Sequence, residues 1–280
     1  MRRLDANLLR QTVEKLCIKA AIDLPQDIET ALQTAAQADT SPLAQNILQD
    51  LCRNAQIARE TRLPICQDTG LTIVFVEWGQ EVVIENGEVN AAVTQGVSAA
   101  NRQGLLRASI VADPLRRKNT GDNTPPVIHI NFVPGNKVKI IVQPKGFGSE
   151  NMGCLAFLPP HSTPDDIIAH VTECVRQAGA NPCPPIVVGI GLGGTAETCC
   201  LAAKRALLRE IGHPAFDEFY GDLEGRTLAA INDLSIGAQG MGGNTTALAV
   251  HIEPLPTHIA GLPVAVNICC HALRHAEEVI

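Results

Sequence analysis

The sequence predicts a mixed α/β (α+β) fold, with an N-terminal helical region over residues 1–62 followed by mixed sheets and covering helices over residues 63–280. Apolar residues recur at helical spacing near the N-terminus, whereas later apolar runs have the short lengths typical of strands and end at glycine or proline. Hydrophobic residues make up 45% of the 280 positions and charged residues 18%, which indicates a globular chain with a sizeable core. We expect a single domain.

Charge and cysteine usage narrow the class of protein. The net charge of −7 argues against a nucleic-acid or membrane-surface role, although one local arginine can outweigh it for a small anion. Every apolar run is shorter than the roughly 20 residues needed to cross a bilayer. Asp5 and Glu14 interrupt any signal-peptide core, so we expect reducing cytoplasm. There, the ten cysteines are expected to be metal-binding, catalytic or buried rather than disulfide-bonded.

Three helices are predicted before residue 63. Apolar residues at helical spacing indicate the first helix, and they are Leu9, Val13, Leu16 and Ala20. A second helix is expected to begin near Pro25. Ser41 followed by Pro42 is typical of a helix N-cap with proline in the first turn, so a third helix should run to about Arg62. Cys17 and Cys52 fall inside these helices and are expected to be buried.

The central part alternates between strands and a helix. Leu71–Glu77 reads as a strand and Glu88–Asn101 as a helix. Val127–Val133 and Lys137–Gln143 flank Pro134-Gly135-Asn136, which predicts a β-hairpin. The second of these strands alternates apolar residues with lysine, so one of its faces should be solvated. The polar stretch 113–124 is expected to be surface loop.

The C-terminal part repeats this alternation. Thr163 followed by Pro164 predicts a helix start, as at Ser41. The other predicted elements are a strand at Ile186–Val188, helices at Ala196–Ile211 and Phe216–Leu234, and strands at Ala247–Ile252 and Pro263–Ile268, the last of the chain. Cys174 is expected to be a packing residue in the helix that follows Thr163.

Cysteines occur in three separate loop or strand-end settings. Cys183 stands between two prolines, each with a fixed φ, so its backbone is stiff before any ligand arrives. Cys66 begins a polar loop that leads into a strand, and Cys269 and Cys270 end the last predicted strand. Three cysteines suit an iron–sulfur cluster with one open iron, and zinc with three ligands and a water fits nearly as well. Plain buried thiols are the alternative.

Two glycine-rich stretches need separate interpretations. Gly189, Gly191 and Gly194 match GxGxxG, the fingerprint of a dinucleotide-dependent oxidoreductase, but no second strand ending in an acidic residue follows about 20 positions later. Close backbone approach to a ligand or to another segment is therefore the favoured role. Lys145–Asn151 combines a lysine, two glycines and a serine after a strand, which makes an anion cradle plausible.

Several motifs together resemble the class I fumarate hydratase family. They are Cys66–Gly70, Lys145–Asn151, Cys183–Pro185, Gly193–Thr195, Pro256–Ala260 and Asn267–Ala272. The chain length looks like the α subunit of the two-subunit form, shared with L(+)-tartrate dehydratase. The resemblance implies a [4Fe–4S] cluster with one open iron site, held by Cys66, Cys183 and Cys270. The implied reaction is reversible hydration of fumarate to malate, with L(+)-tartrate dehydration as the alternative.

The same resemblance implies roles for further residues. Arg107 would pair with a substrate carboxylate, and Gln67 and the backbone near Gly148 would donate hydrogen bonds to it. Asp68 would be a catalytic residue that orients the substrate or the acid–base group. The base that removes the carbon-bound proton is expected on a β-type subunit. The partners implied are therefore that subunit, in a hetero-oligomer, and a small dicarboxylate substrate.

The sequence departs from the family pattern at three places. Cys269 stands where the family often has a polar residue, so spacing alone leaves Cys269 and Cys270 open as the third ligand, although the family pattern favours Cys270. Phe147 replaces a commonly small residue in the glycine loop. Cys154 follows that loop and is a weaker alternative ligand that the family pattern does not support.

Overall fold

The computed structural model describes residues 1–280 and confirms the mixed α/β fold. The helices are α1 Ala6–Ile22, α2 Gln26–Ala38, α3 Pro42–Thr61, α4 Val89–Gln103, α5 Phe147–Glu150, α6 Pro164–Ala178, α7 Ala196–Ala206 and α8 Glu218–Asn232. The strands are β1 Arg2–Asp5, β2 Leu71–Gly79, β3 Val82–Glu85, β4 Val127–Val133, β5 Val138–Lys145, β6 Cys154–Leu158, β7 Ile186–Gly193, β8 Ala247–Leu255, β9 Leu262–Cys269 and β10 Ala276–Val279. None of the helices has both the length and the apolar character needed to cross a membrane.

The N-terminal helices agree with the sequence prediction. α1 buries Leu9 and Leu16 on the face that the apolar spacing indicates. α3 begins at Pro42, and the backbone amide of Ala44 donates to the hydroxyl of Ser41 over 3.4 Å, so the predicted N-cap is confirmed. The prediction missed β1, which pairs in parallel with β3. Four residues are too few for a periodicity to identify.

The chain divides into two compact units that interleave along the sequence. Unit 1 comprises Met1–Pro25, Asn54–Phe147 and Arg274–Ile280, and unit 2 comprises Gln26–Arg53 and Gly148–Leu273. In unit 1, a four-stranded sheet has the order β10-β5-β2-β4. Apolar side chains of α1 and α4 pack with those of β2 and β5 to form its core. The expectation of one domain over the whole chain stays a prediction.

The predicted hairpin between β4 and β5 is wrong, because β2 lies between them. β2 pairs in parallel with β4, with Ile73 opposite Val127, and antiparallel with β5, with Leu71 opposite Lys145. The turn after β4 therefore passes the end of β2, where the Gly79 amide donates to the Lys137 carbonyl over 2.9 Å. A proline–glycine turn indicates only that the connection between two strands is short. It does not show whether a third strand lies between them in the sheet.

The two faces of β5 also differ from expectation. Val138, Ile140 and Val142 are fully buried, as their alternation predicts. The predicted solvated face is exposed at Lys137, but the prediction is wrong at Gln143, which is 0% exposed. β5 also extends past the predicted strand to Lys145, which is 1% exposed. Alternation identifies the apolar face of a strand but carries no information on what covers the other face.

Unit 2 is built on a second four-stranded sheet with the order β6-β9-β7-β8. Apolar side chains of α6 and α8 pack on one of its faces. The small residues of α7 pack on the other, where Cys199 and Ala203 meet Ala265 of β9. α6 begins after Thr163, as predicted, and a capping box between Thr163 and Asp166 stabilises this start. The prediction missed β6, and β10 follows the strand that was expected to be the last of the chain.

The GxGxxG stretch serves strand–helix packing. β7 extends to Gly193, so Gly189 and Gly191 lie inside the strand rather than in the turn after it. A Cβ atom on Gly189 would lie 2.1 Å from the carbonyl oxygen of Ala203, and one on Gly191 would lie 2.0 Å from that of Cys199. Both contacts are far inside van der Waals distance, so only glycine lets α7 approach β7 this closely. Of the favoured roles, approach to another segment accounts for these two glycines.

Candidate functional site

Two predicted cysteine ligands lie at one end of the unit 2 sheet. Cys183 precedes β7 and Cys270 follows β9, and these strands are antiparallel with Val187 opposite Cys269. The start of β7 and the finish of β9 therefore share an end of the sheet. We call this region, made of residues 148–151, 181–185, 237–243 and 269–272, the cysteine end.

Hydrogen bonds tie three segments of the cysteine end together. Nδ1 of His271 lies 3.0 Å from the carbonyl oxygen of Cys183 and 3.2 Å from Nε2 of Gln239, and it donates to the carbonyl in the tautomer that carries the proton on Nδ1. The backbone and side-chain amides of Gln239 both donate to the Pro184 carbonyl, over 2.7 and 2.8 Å. These bonds hold Cys183 and Gln239 in left-handed conformations, with φ values of 55° and 54°. A non-glycine residue in the left-handed region costs about 1–3 kcal/mol, and residues strained in this way are concentrated at functional sites.

The tandem cysteines differ in environment. Cys269 is the last residue of β9, pairs with Val187 of β7 and is buried, with 3% exposure. Cys270 lies just beyond the strand and is half-buried, and Cys183 is exposed. Because Cys270 lies beyond the strand, the alternation of side chains in the sheet does not fix its direction. Its side chain therefore has more access to a ligand at this end. The environment favours Cys270 over Cys269, and its assignment as third ligand stays a prediction.

The glycine loop also reaches the cysteine end. A Cβ atom on Gly148 would lie 3.5 Å from the carbonyl oxygen of Asn181, two residues before Cys183. The Glu150 carboxylate accepts from Lys204 Nζ over 2.5 Å and from Asn267 Nδ2 over 3.1 Å. The ion pair with Lys204 fastens the loop to α7, and the hydrogen bond from Asn267 fastens it to β9. Gly148 itself is exposed.

In unit 1, Asp68 connects two loops. Its Oδ1 accepts from the Gly70 amide over 3.0 Å and its Oδ2 from the Phe147 amide over 2.9 Å. The Asp68 carbonyl accepts from the buried Arg274 guanidinium. Both carboxylate oxygens are therefore engaged with backbone. The carboxylate therefore holds the loop of Cys66 through Gly70 and joins it to the backbone at Phe147.

Arg107 lies beside the same loop. The Thr69 hydroxyl donates to the Arg107 carbonyl over 3.1 Å, and the guanidinium side chain is exposed. Cys66 is half-buried, with its sulfur 3.4 Å from Oε1 of the exposed Gln67. Unit 1 thus brings Cys66, Gln67, Asp68 and Arg107 to one region.

Residues outside the predicted motifs also hold these loops. Asn123 is buried although it belongs to the stretch 113–124, which is expected to be surface loop. Its side chain donates to the Gly70 carbonyl over 3.0 Å and accepts from the Ser109 amide over 2.9 Å. Arg274 and Gln239 were also missed. The one available signal for Gln239 was its position inside a further glycine-rich stretch, Gly237–Thr246.

Cysteines outside the proposed ligand set differ in burial and bonding. Burial raises the pKa of Cys17 to about 12 and that of Cys199 to about 11, so both thiols stay protonated and structural. Cys52 is only half-buried, which corrects the expectation of full burial. Cys174 is more than a packing residue, because it is joined to Cys154 as a disulfide.

His258 lies away from the cysteine end. It follows β8, which is parallel to β7, so it lies beyond the opposite end of the unit 2 sheet. Its Nδ1 accepts from the Ala260 amide over 3.1 Å and the residue is exposed. Within unit 2, His271 rather than His258 accompanies the predicted ligands.

Known proteins similar to this chain point to one family. The family described as Fumarate hydratase (Fumerase) matches residues 10–279. A Methanocaldococcus jannaschii protein with the provisional name L(+)-tartrate dehydratase subunit alpha is 42% identical over 274 residues, or 96% of each chain. The L(+)-tartrate dehydratase subunit alpha of Escherichia coli O157:H7 is 31% identical over 98% of this chain and 91% of its own. The chain belongs to the fumarate hydratase (Fumerase) family.

Proposed function

We propose that the chain is the α subunit of an iron–sulfur hydro-lyase that acts on a four-carbon dicarboxylate. The observation that carries this proposal is the family match over residues 10–279, together with the convergence of Gly148, Cys183 and Cys270 at the cysteine end. The dinucleotide alternative loses its basis, because Gly189 and Gly191 lie inside β7 against α7.

The proposed cofactor is a [4Fe–4S] cluster with one open iron site, ligated by Cys66, Cys183 and Cys270. The donor set fits such a group, since all three residues offer sulfur and none is fully buried. When bound, a cluster with an open iron supplies a Lewis acid that makes hydroxide a better leaving group. His271 and Gln239 hold this segment through the carbonyl groups of Cys183 and Pro184, respectively.

The chain's own residues would bind and orient the substrate. Arg107 presents a planar fork of donors on an exposed side chain, suited to a carboxylate. Gln67 and the backbone amides near Gly148 would add hydrogen bonds. Asp68 holds the loop of Cys66 through its bond to Gly70 and would orient the acid–base group.

The proton-abstracting group is proposed to come from a β-type subunit in a hetero-oligomer, located in the cytoplasm. Both relatives described above are named subunit alpha, which supports a partner chain. Asp68 is a poor candidate for the base, because both of its carboxylate oxygens already accept backbone hydrogen bonds.

Two substrates remain within this class. Hydration of fumarate to malate is the first proposal, in line with the description of the matched family. Dehydration of L(+)-tartrate is the second, and the names of the relatives favour it.

The test is anaerobic reconstitution of the chain with iron and sulfide, alone and with a β-type partner. We expect the broad visible absorption of an iron–sulfur cluster, and turnover of fumarate or L(+)-tartrate only when the partner is present. Full turnover by the isolated reconstituted chain would overturn the two-subunit proposal. Absence of the cluster and of both activities in the assembled protein would overturn the hydro-lyase proposal.

A further inference from the structure

A second group of metal-ligand residues lies on the α6 face of the unit 2 sheet. Cys154 begins β6, and His170 and Cys174 lie one turn apart on α6. Nε2 of His170 is 3.8 Å from the sulfur of Cys154 and 3.8 Å from that of Cys174. The three potential ligand atoms all lie within 4.8 Å of one another, and all three residues are half-buried.

This group is distinct from the cysteine end. Cys154 pairs with Val266 of β9, and both border the apolar core beneath α6 and α8. Since side chains alternate along β9, Asn267 and Cys269 point to the other face, where α7 packs. None of the proposed cluster ligands belongs to the group.

The backbone geometry suits a shared metal better than a simple cross-link. The Cα atoms of Cys154 and Cys174 are 7.0 Å apart, just beyond the range of about 4.4–6.8 Å usual for disulfides. A metal with bonds of about 2.3 Å to sulfur and about 2.0 Å to nitrogen bridges such a pair readily. An adjacent imidazole contributes nothing to a disulfide bond. In a metal site, His170 completes a donor set of two sulfurs and one nitrogen.

We propose that Cys154, His170 and Cys174, with both thiols reduced, bind one thiophilic divalent cation of the Zn²⁺ type. Water would take the fourth position of a tetrahedral site. Reduction of the disulfide takes two electrons from an added reductant and yields two thiols. Metal binding then releases the two thiol protons without a change in the oxidation state of the metal. The bound ion would clamp the edge strand β6 to α6.

The test uses the full chain, treated with a chelator and kept anaerobic with a phosphine reductant. Titration with Co²⁺ should produce thiolate-to-cobalt charge-transfer absorption that saturates at one ion per chain, and Zn²⁺ should displace it. The absorption should persist in Cys183→Ser/Cys270→Ser, which lacks the two proposed cluster ligands of the cysteine end. Cys174→Ser should lower the affinity at least 100-fold and His170→Asn at least tenfold. Cys52→Ser, a half-buried helical cysteine elsewhere, is the matched control and should bind as the parent does.

Three outcomes would overturn the proposal: no charge-transfer absorption in the parent chain, its survival in Cys174→Ser, or its loss in Cys183→Ser/Cys270→Ser. Alkylation of the parent chain, read by mass spectrometry, keeps the proposal testable if Cys174→Ser fails to fold. Zn²⁺ should slow the alkylation of Cys154 and Cys174 at least tenfold, a chelator should restore it, and Cys52 should react unchanged. A Cys154–Cys174 pair that stays oxidised under the reductant, or that reacts equally fast with Zn²⁺, contradicts a metal site.

Discussion

The cysteine end and the middle of the same sheet use cysteine and glycine in opposite ways. At the cysteine end, Cys183 is exposed and held in a left-handed conformation by hydrogen bonds to its segment. In the middle, which we call the packed centre (Gly189, Gly191, His251, Cys199 and Ala203), Cys199 is fully buried and its sulfur donates to the Gly191 carbonyl over 3.2 Å. Residue type alone therefore does not identify a site. Exposure and irregular backbone held by hydrogen bonds are what distinguish the two regions.

The largest expected effect separates Cys183 of the cysteine end from Cys199 of the packed centre. Cys183→Ser should abolish cluster binding and lower the activity of the reconstituted assembly by at least about 1,000-fold, equivalent to about 4 kcal/mol of transition-state stabilisation. Cys199→Ser should keep the cluster, because that thiol is buried with its pKa raised to about 11. Iron content and absorption per folded chain are the measurements. Equal cluster content in the two variants would contradict the division into two regions.

Next, Gly191→Ala tests the packed centre. The new methyl group would lie 2.0 Å from the Cys199 carbonyl oxygen and 2.9 Å from the Ala203 nitrogen, both backbone atoms, so α7 must move. We expect a loss of about 3 kcal/mol or more in the free energy of unfolding, measured by denaturant titration. The control is Gly225→Ala in α8, where nothing lies within 4 Å and a gain of about 0.5–1 kcal/mol is expected. A Gly191→Ala chain as stable as the parent would show that the close approach is not required.

Acid should weaken the packed centre through His251. This residue lies opposite Gly189 and is 3% exposed. Burial, and then the positive charge of Arg209, lower its pKa from 6.5 to about 4. Between those values the unfolded chain binds more protons, so the stability that the neutral imidazole contributes is complete above about pH 6.5 and is lost as the pH falls toward 4. The loss should reach at most about 3 kcal/mol.

Denaturant titrations at several pH values in this window, on the parent and on His251→Gln, measure that effect. The variant should be less stable than the parent at neutral pH, and its stability should fall less on acidification. The same slope in both proteins would assign the acid sensitivity to other groups.

The smallest effect concerns His271 at the cysteine end. In the tautomer protonated at Nδ1 it donates to the Cys183 carbonyl, and the side-chain NH₂ of asparagine can occupy nearly the same position. His271→Leu should lower kcat/KM about tenfold, or roughly 1.4 kcal/mol, and should speed loss of the cluster in air. His271→Asn should restore much of both. If leucine and asparagine behave alike, the hydrogen bond does not position Cys183.

Local signals in the sequence predicted the features that depend on near neighbours. The apolar spacing at Leu9 and Leu16 and the cap at Ser41 identified helices correctly, since periodicity and capping act within a few residues. The motifs around Cys66 and Cys183 carried the family resemblance, and the family is confirmed. The roles of these cysteines, of Arg107 and of Asp68 stay predictions.

The sequence by itself thus determined which segments become the longer helices and strands, and which motifs mark the family, because both depend on short runs of residues. The tertiary structure alone decided that β2 separates β4 from β5, that Gly189 and Gly191 receive α7, and that Asn123 is buried. It also joined Cys154 to Cys174 across 20 positions of sequence. These outcomes depend on which surfaces from distant parts of the chain pack together. Such long-range contacts produce no periodicity or motif spacing that could be recognised in the sequence.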